Sequence, residues 1–146
     1  MKFHRSNSSV LISVSIAIAS FTGISALTFA PQLISPAIAQ DAAPEVTTTS
    51  SANQISLAKH LRKSGAKLYT VFWCPHCHNQ KHRFGKDAAS QLDVIECDGR
   101  GVNPQAQLCA AKKIRGYPTW EINGKRYAGD RSLASLAELS KYTGKF

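Results

Sequence analysis

The sequence predicts an α/β domain whose mixed central sheet is covered by helices on both faces. Three observations carry this. Leu68-Tyr69-Thr70-Val71-Phe72-Trp73 is a β-branched and aromatic run that leads straight into Cys74-Pro75-His76-Cys77, where Pro75 suits the first turn of a helix. Thr119–Ile122 and Lys125–Ala128 flank Asn123-Gly124, the strongest short-range hairpin signal. The full order reads α, β, α, β, α, β, β, α, and a strand–helix–strand opening followed by a hairpin makes the sheet mixed.

Element by element, Asn53 can cap a first helix in which Ile55, Ala58 and Leu61 share a face and which Gly65 ends. A buried strand over residues 68–73 follows. The helix opened by Pro75 continues through Gln80 and Phe84 towards Ala89. Residues 92–97 form a second central strand, and Asp98-Gly99-Arg100-Gly101 a loop. Asn103-Pro104 reads as N-cap and first residue of a third helix, closed by Gly116. After the hairpin, Ser132 caps a last helix with Leu133, Leu136, Ala137 and Ser140 on one side.

These elements fill residues 54–146, one small domain of the 146-residue chain. What precedes them differs in character. Lys2 and Arg5 are followed by no formally charged residue until Asp41, and residues 10–19 are an apolar run of signal-peptide length. Ala37-Ile38-Ala39 supplies the small-x-small pattern of a cleavage site. Residues 1–39 therefore read as a signal peptide, and residues 40–53, rich in Ala, Thr and Ser, as a flexible spacer. The rival is an uncleaved membrane anchor, against which Pro31, Pro36 and the many hydroxyl residues interrupt any span of ~20 apolar residues. Cleavage would leave 107 residues with 16 basic and 9 acidic side chains. Export would put the four cysteines, all beyond residue 73, in a compartment where disulfides persist. The apolar fraction of 43% is that of a globular chain, and no period or low-complexity tract supports a fibrous or repeat architecture.

The chemistry concentrates at Cys74-Pro75-His76-Cys77. At a helix N-terminus, unpaired N–H groups and the helix dipole favour a thiolate at Cys74, and His76 adds to that stabilisation, so Pro75 and His76 are read as tuning residues. Cys77, one turn inside the helix, is shielded and placed to close a disulfide with Cys74. Two inert thiols or a structural disulfide are the plain alternative, weakened by the strand–helix junction and by Tyr117-Pro118 further on. Including His78 gives C-x-x-C-H, the c-type haem attachment pattern. Against haem, Met1 is the only methionine, His82 lies four residues after His78 on the same helix, and two buried strands do not suit a small cytochrome. Metal capture by the cysteine pair with a nearby His suits the spacing, but there is no second C-x-x-C. No metal and no cofactor are expected.

Phe72-Trp73-Cys74-Pro75-His76-Cys77 resembles the thioredoxin-superfamily active site, and Gly116-Tyr117-Pro118-Thr119 resembles its cis-proline loop. More narrowly, residues 73–146 are similar to the thioredoxin-like domain fused to bacterial and plant homologues of vitamin K epoxide reductase. Trp73-Cys74-Pro75-His76-Cys77-His78, Val94-Ile95-Glu96-Cys97, Gln105-Ala106-Gln107-Leu108-Cys109 and the run from Ile114 to Gly124 carry that likeness. The resemblance implies a thioredoxin-like fold and thiol–disulfide exchange, with Cys74 as nucleophile, Cys77 as its resolving partner, and Trp73, Tyr117 and Pro118 lining the client groove. Leu68 falls near the place where thioredoxin itself carries an acidic residue, which disfavours a general reductant. The Pro-His dipeptide resembles that of periplasmic oxidants. The expected activity is oxidation of client proteins by an exported monomer, in a periplasm or thylakoid lumen. Re-oxidation would come from a quinone-linked membrane thiol oxidase of the vitamin K epoxide reductase type, reached by docking. A disulfide reductase or isomerase, and a redox-inert binding module with this fold, are the alternatives.

Cys97 ends a strand and Cys109 lies in the next helix across a Gly-rich loop, so the pair is read as a second, structural disulfide, with two free thiols or an electron relay as alternatives. Lys81, Arg83, Lys86, Lys112, Lys113 and Arg115 lack any accompanying nucleic-acid motif and read as a solvated basic face. Trp120 is read as core, and His60 and His82 as surface residues.

Overall fold

The computed structural model describes residues 39–145. The signal-peptide reading thus lies, but for Ala39, outside the described residues. The elements are α1 (Ala52–Lys63), β1 (Lys67–Thr70), α2 (Pro75–Phe84), α3 (Lys86–Ala89), β2 (Val94–Glu96), α4 (Ala106–Ala111), β3 (Thr119–Ile122), β4 (Lys125–Ala128) and α5 (Leu133–Leu139). No helix among them is long and apolar enough to cross a membrane.

Local chemistry explains most boundaries. Ser51, not Asn53, caps α1. Its hydroxyl accepts from Gln54 N–H while the Gln54 side chain accepts from Ser51 N–H, so one Ser/Gln pair satisfies two end donors. Gly85 divides the expected long helix into α2 and α3; its φ of 80° suits glycine, and a Cβ there would stand 2.6–2.7 Å from Ser50 and Thr49. α4 starts at Ala106 rather than Pro104, because Gln105 N–H donates to Glu96 O at 2.7 Å and holds the chain at the end of β2 until then. It ends at Ala111, and Lys113 beyond the cap turns the chain with φ of 52° as Ile114 N–H returns to Cys109 O, before Gly116 is reached. Asn123 and Gly124 both take positive φ, 52° and 75°, as a tight two-residue hairpin turn requires. Ser132 caps α5 through a bond from Ser135 N–H.

The four strands pair in the order β2-β1-β3-β4, with β1 and β2 parallel and the other pairs antiparallel. This is the mixed sheet expected, in a thioredoxin-like arrangement. One detail is corrected: β2 is an edge strand, not a central one, since it pairs with β1 alone, and of its three residues only Ile95 is buried. The period of two along β1 sends Leu68 to one side and Tyr69 to the other. On the Leu68 side, Leu57 and Leu61 of α1, Phe84, Ala88 and α5's Leu136 pack around Trp120 and Ile122. On the Tyr69 side lie Val71, Ile95 and all four cysteines, covered by Leu108, Ile114 and Tyr117. Helices therefore cover both faces.

Residues 41–50, expected as a spacer, are strapped onto the domain. Asp41 N–H donates to Arg100 O at 2.8 Å, forming a single parallel bridge with Gly101. Thr48 accepts from Lys86 N–H at 2.8 Å through its carbonyl and donates through its hydroxyl to His82 O at 2.8 Å. Ser50 Oγ accepts from Ala88 N–H. The strap thereby supplies acceptors to two N–H groups in the first turn of α3, those of Lys86 and Ala88.

Candidate active site

β1 ends at Thr70, and the chain turns through Val71, Phe72 and Trp73 before α2 begins at Pro75. Cys74 is the N-cap of that helix. Its sulfur accepts from Cys77 N–H at 3.2 Å and donates as a thiol to Tyr117 O at 3.6 Å. The helix end thus sets N–H dipoles against the Cys74 sulfur, the arrangement expected of an attacking and departing thiolate. Pro75 occupies the first helical position, where its missing N–H costs nothing. Tyr117-Pro118 is joined by a cis peptide bond and stands beside Cys74 through the same Tyr117 carbonyl. The sequence-predicted residues Trp73, Cys74, Cys77, Tyr117 and Pro118 are thereby brought together.

The two thiols differ. Both are buried, Cys74 less completely at 7% exposed against 1% for Cys77, so Cys74 is the nearer of the two to solvent. Burial, and the Cys74 sulfur next to it, push the Cys77 thiol far up, to about 12. His76 is exposed on the first turn of α2. Trp73 is also exposed, at 58%, yet its indole is held in place: Nε1 donates to Asp98 Oδ2 at 2.9 Å. Asp98 is in turn gripped by the Arg100 guanidinium at 2.9–3.1 Å, which holds its carboxyl well below the usual range. That guanidinium also lies 5.4 Å over the Phe72 ring.

Sequence reasoning missed three residues here. Gln80 is fully buried and links α2 to β3 and to the loop before α5: its Oε1 accepts from Trp120 Nε1 and Arg131 N–H, and its Nε2 donates to Arg131 O. It locks α2 against the sheet. Lys81, read as part of a solvated face, is instead half-buried one turn after Cys77. Burial lowers its ammonium below the ordinary lysine value, and Cys77, Glu96 and Cys74 oppose that in this order. Glu96 is raised by its own burial, although Asp98 N–H donates to its Oε1 at 2.8 Å. The signal for Lys81 was its spacing of four from Cys77, which puts both on one helix face. His82 is not a plain surface residue either; its ring packs edge-on against His78, centroids 4.1 Å apart.

Cys97 and Cys109 are bonded, with Cα atoms 5.8 Å apart. Both are buried, in the same apolar layer as Cys74 and Cys77.

A thioredoxin-like sheet with a dithiol at the β1–α2 junction and a cis-proline loop against it defines a class: this is a thioredoxin-like domain with a paired-cysteine site. No protein-family model matches the chain. Over 102 residues it is 43% identical to a protein named thiol-disulfide oxidoreductase LTO1 from Arabidopsis thaliana. The match covers 68% of this chain and 27% of the plant protein, so the chain corresponds to a minor part of that relative. The thioredoxin-like fold and the paired cysteines agree with that likeness.

Proposed function

We propose that this chain is an exported thiol–disulfide oxidoreductase that oxidises client proteins through Cys74 and Cys77. The observation that carries the reading is the asymmetry of the pair: a Cys74 nearer to solvent at a helix N-terminus, backed by a more deeply buried Cys77. In the oxidised form a client thiolate attacks Cys74 Sγ, the Cys74–Cys77 bond breaks and Cys77 leaves, taking a proton. A second client thiolate then attacks the client sulfur of the mixed disulfide, and Cys74 departs. Two electrons pass from two client thiols to the pair, and a client disulfide forms. The N–H donation at Cys74 favours its departure, and the Lys81 ammonium lies where it favours that of Cys77. An extended client segment can pair with the Tyr117 backbone beside Cys74, with little demand on its sequence.

The electrons must then leave by exchange with another dithiol–disulfide couple. A quinone-linked membrane thiol oxidase of the vitamin K epoxide reductase type is the proposed acceptor, in a periplasm or thylakoid lumen. The test is the redox potential of the Cys74–Cys77 couple, equilibrated against glutathione, with Cys74→Ser as the inactive control. A value nearer the ≈ −120 mV of strong oxidants than the ≈ −270 mV of thioredoxin supports oxidation. A value at or below the thioredoxin end reverses the direction and makes the chain a reductase. Retained exchange in Cys74→Ser removes the mechanism altogether.

A further inference from the structure

The strap over residues 41–50 has a second consequence at the site. Ala42 and Pro44 form one wall of a cavity of about 420 Å³, whose other walls are Phe72, Trp73, Pro75 and His78, and which opens on Cys74 itself. Its size is that of a small-ligand pocket. No Asp, Glu, Lys or Arg lines it, and Tyr117 and Pro118 do not contribute to it. It adjoins, at Cys74, the Tyr117 backbone on which the proposed exchange reaction relies, and lies on the side of that sulfur's neighbours Trp73 and Pro75.

Both walls are held by one loop. Asp98 fixes the Trp73 indole, Arg100 grips Asp98, and the Arg100 carbonyl accepts from Asp41, where the strap begins. At its other end the strap is tied down by Thr48 and Ser50. An exposed Trp and a Pro-bearing segment are thus set facing a shared cavity before any partner arrives, which limits the ordering cost of binding.

We propose that this cavity is a specificity subsite that seats an apolar side chain of the client, adjacent in sequence to the client's reacting cysteine, with Ala42 and Pro44 as specificity-determining residues. The inference rests on the exchange reaction proposed above. The occupant follows from the lining and the position. A client cysteine must come to Cys74 Sγ, so the residue next to it falls within reach of the cavity that Cys74 edges. With an aromatic and proline lining that carries no formal charge at neutral pH apart from any on His78, an apolar group is stabilised and a carboxylate is left without a partner.

The test uses the full chain, oxidised at Cys74–Cys77, and two short reduced peptides differing only beside their cysteine, Leu in one and Asp in the other. Second-order rates are divided by the rate of the same protein with dithiothreitol, so that any general change at Cys74 cancels. The Leu peptide should react about tenfold faster than the Asp peptide, equivalent to ~1.4 kcal/mol. Pro44→Asp, and independently Ala42→Asp, should reduce that ratio to about twofold or less. An absent preference in the unmodified chain, or one retained in both variants, overturns the subsite. A second arm replaces the peptide cysteine by Ser and reads binding through Trp73 fluorescence in a Trp120→Phe background. If dithiothreitol itself fails to exchange, the redox reading falls, and the binding arm still decides the subsite. Equal affinity for the Leu and Asp peptides there would sink it.

Discussion

The two faces of the sheet are built from different materials. On the Leu68 side, α1, α3 and α5 close an aliphatic and aromatic layer around Trp120 that holds no cysteine. The Tyr69 side is smaller, and four of its seven buried residues are Cys74, Cys77, Cys97 and Cys109. One face stabilises by area removed from water; the other holds the chemistry and has a covalent bond where further apolar side chains would otherwise be needed. The reactive pair also sits where β1 gives way to α2, so it needs the opposite face to hold that junction still. Gln80 and Phe84 do this from α2 itself, reaching Arg131 and Trp120.

Perturbing each face separately should give separable effects. The largest is expected on the cysteine-free side. Leu61 is fully buried on α1, and Leu61→Ala should cost ~2–5 kcal/mol of stability through lost transfer energy and a residual cavity. Denaturant unfolding would measure that, while the potential of Cys74–Cys77 should stay within about 10 mV, a shift worth under ~0.5 kcal/mol. A larger shift would mean that the two faces are not independent.

On the other side, Cys97→Ser with Cys109→Ser removes a link across a separation of 12 residues. Chain-entropy reasoning assigns such a loop ~3 kcal/mol. Melting should fall by that order while dithiothreitol exchange at Cys74 persists. Unchanged melting with lost exchange would favour an electron relay between the two pairs instead of a structural bond.

The third effect depends on pH. In the folded reduced domain Cys77 keeps its proton to about pH 12, whereas in the unfolded chain it is released from ~8.5. Above that pH the unfolded state binds fewer protons, so the stability of the reduced form falls as pH rises, by at most ~1.4 kcal/mol per pH unit. The oxidised form has no thiol at Cys77 and lacks this loss. Tyr69, also raised to about 12, chiefly by burial, is present in both forms and largely cancels. The stability difference, reduced minus oxidised, should therefore decline steadily between pH 8.5 and 11. A flat difference would show that Cys77 is not the shielded thiol of the pair.

How much of this was legible in the sequence depends on the range of the interaction. Asn123-Gly124, Ser132 and Pro75 act on their immediate neighbours, and the hairpin, α5 and the start of α2 stand where those residues put them. The disulfide was legible because a short crossover leaves Cys97 and Cys109 few other places to be. The strap was not. Its Ala, Thr and Pro residues have linker composition, and Asp41 and Thr48 are held largely by backbone groups that carry no side-chain signature. Nor was the edge position of β2, since an apolar run such as residues 92–97 looks alike at the edge and the centre of a sheet.

Lys81 was hidden for a related reason, because a lysine among Arg83 and Lys86 looks solvated until its facing residues are known. It gives the smallest effect and the sharpest contrast between a surface charge and one turned toward the reacting sulfurs. In the proposed exchange, attack of a client thiolate on Cys74 develops negative charge on the departing Cys77, where the half-buried ammonium one turn away would stabilise it. Losing that charge should make Cys77 a poorer leaving group and slow the first step roughly three- to tenfold. Lys81→Met keeps most of the apolar stem, and Lys81→Arg restores the charge and should recover most of the rate. Lys86→Met, at an exposed position on α3, should change the rate by less than about 1.5-fold, as expected of a screened surface charge. Burial lowers the Lys81 ammonium below ordinary lysine, so it loses its proton earlier as pH rises, and the advantage over Lys81→Met should shrink on the alkaline side. Stopped-flow reaction of the oxidised chain with dithiothreitol at several pH values measures all four proteins. Equal slowing in Lys81→Met and Lys86→Met would reduce Lys81 to general attraction, and a pH-independent deficit that Lys81→Arg does not repair would make its role packing alone.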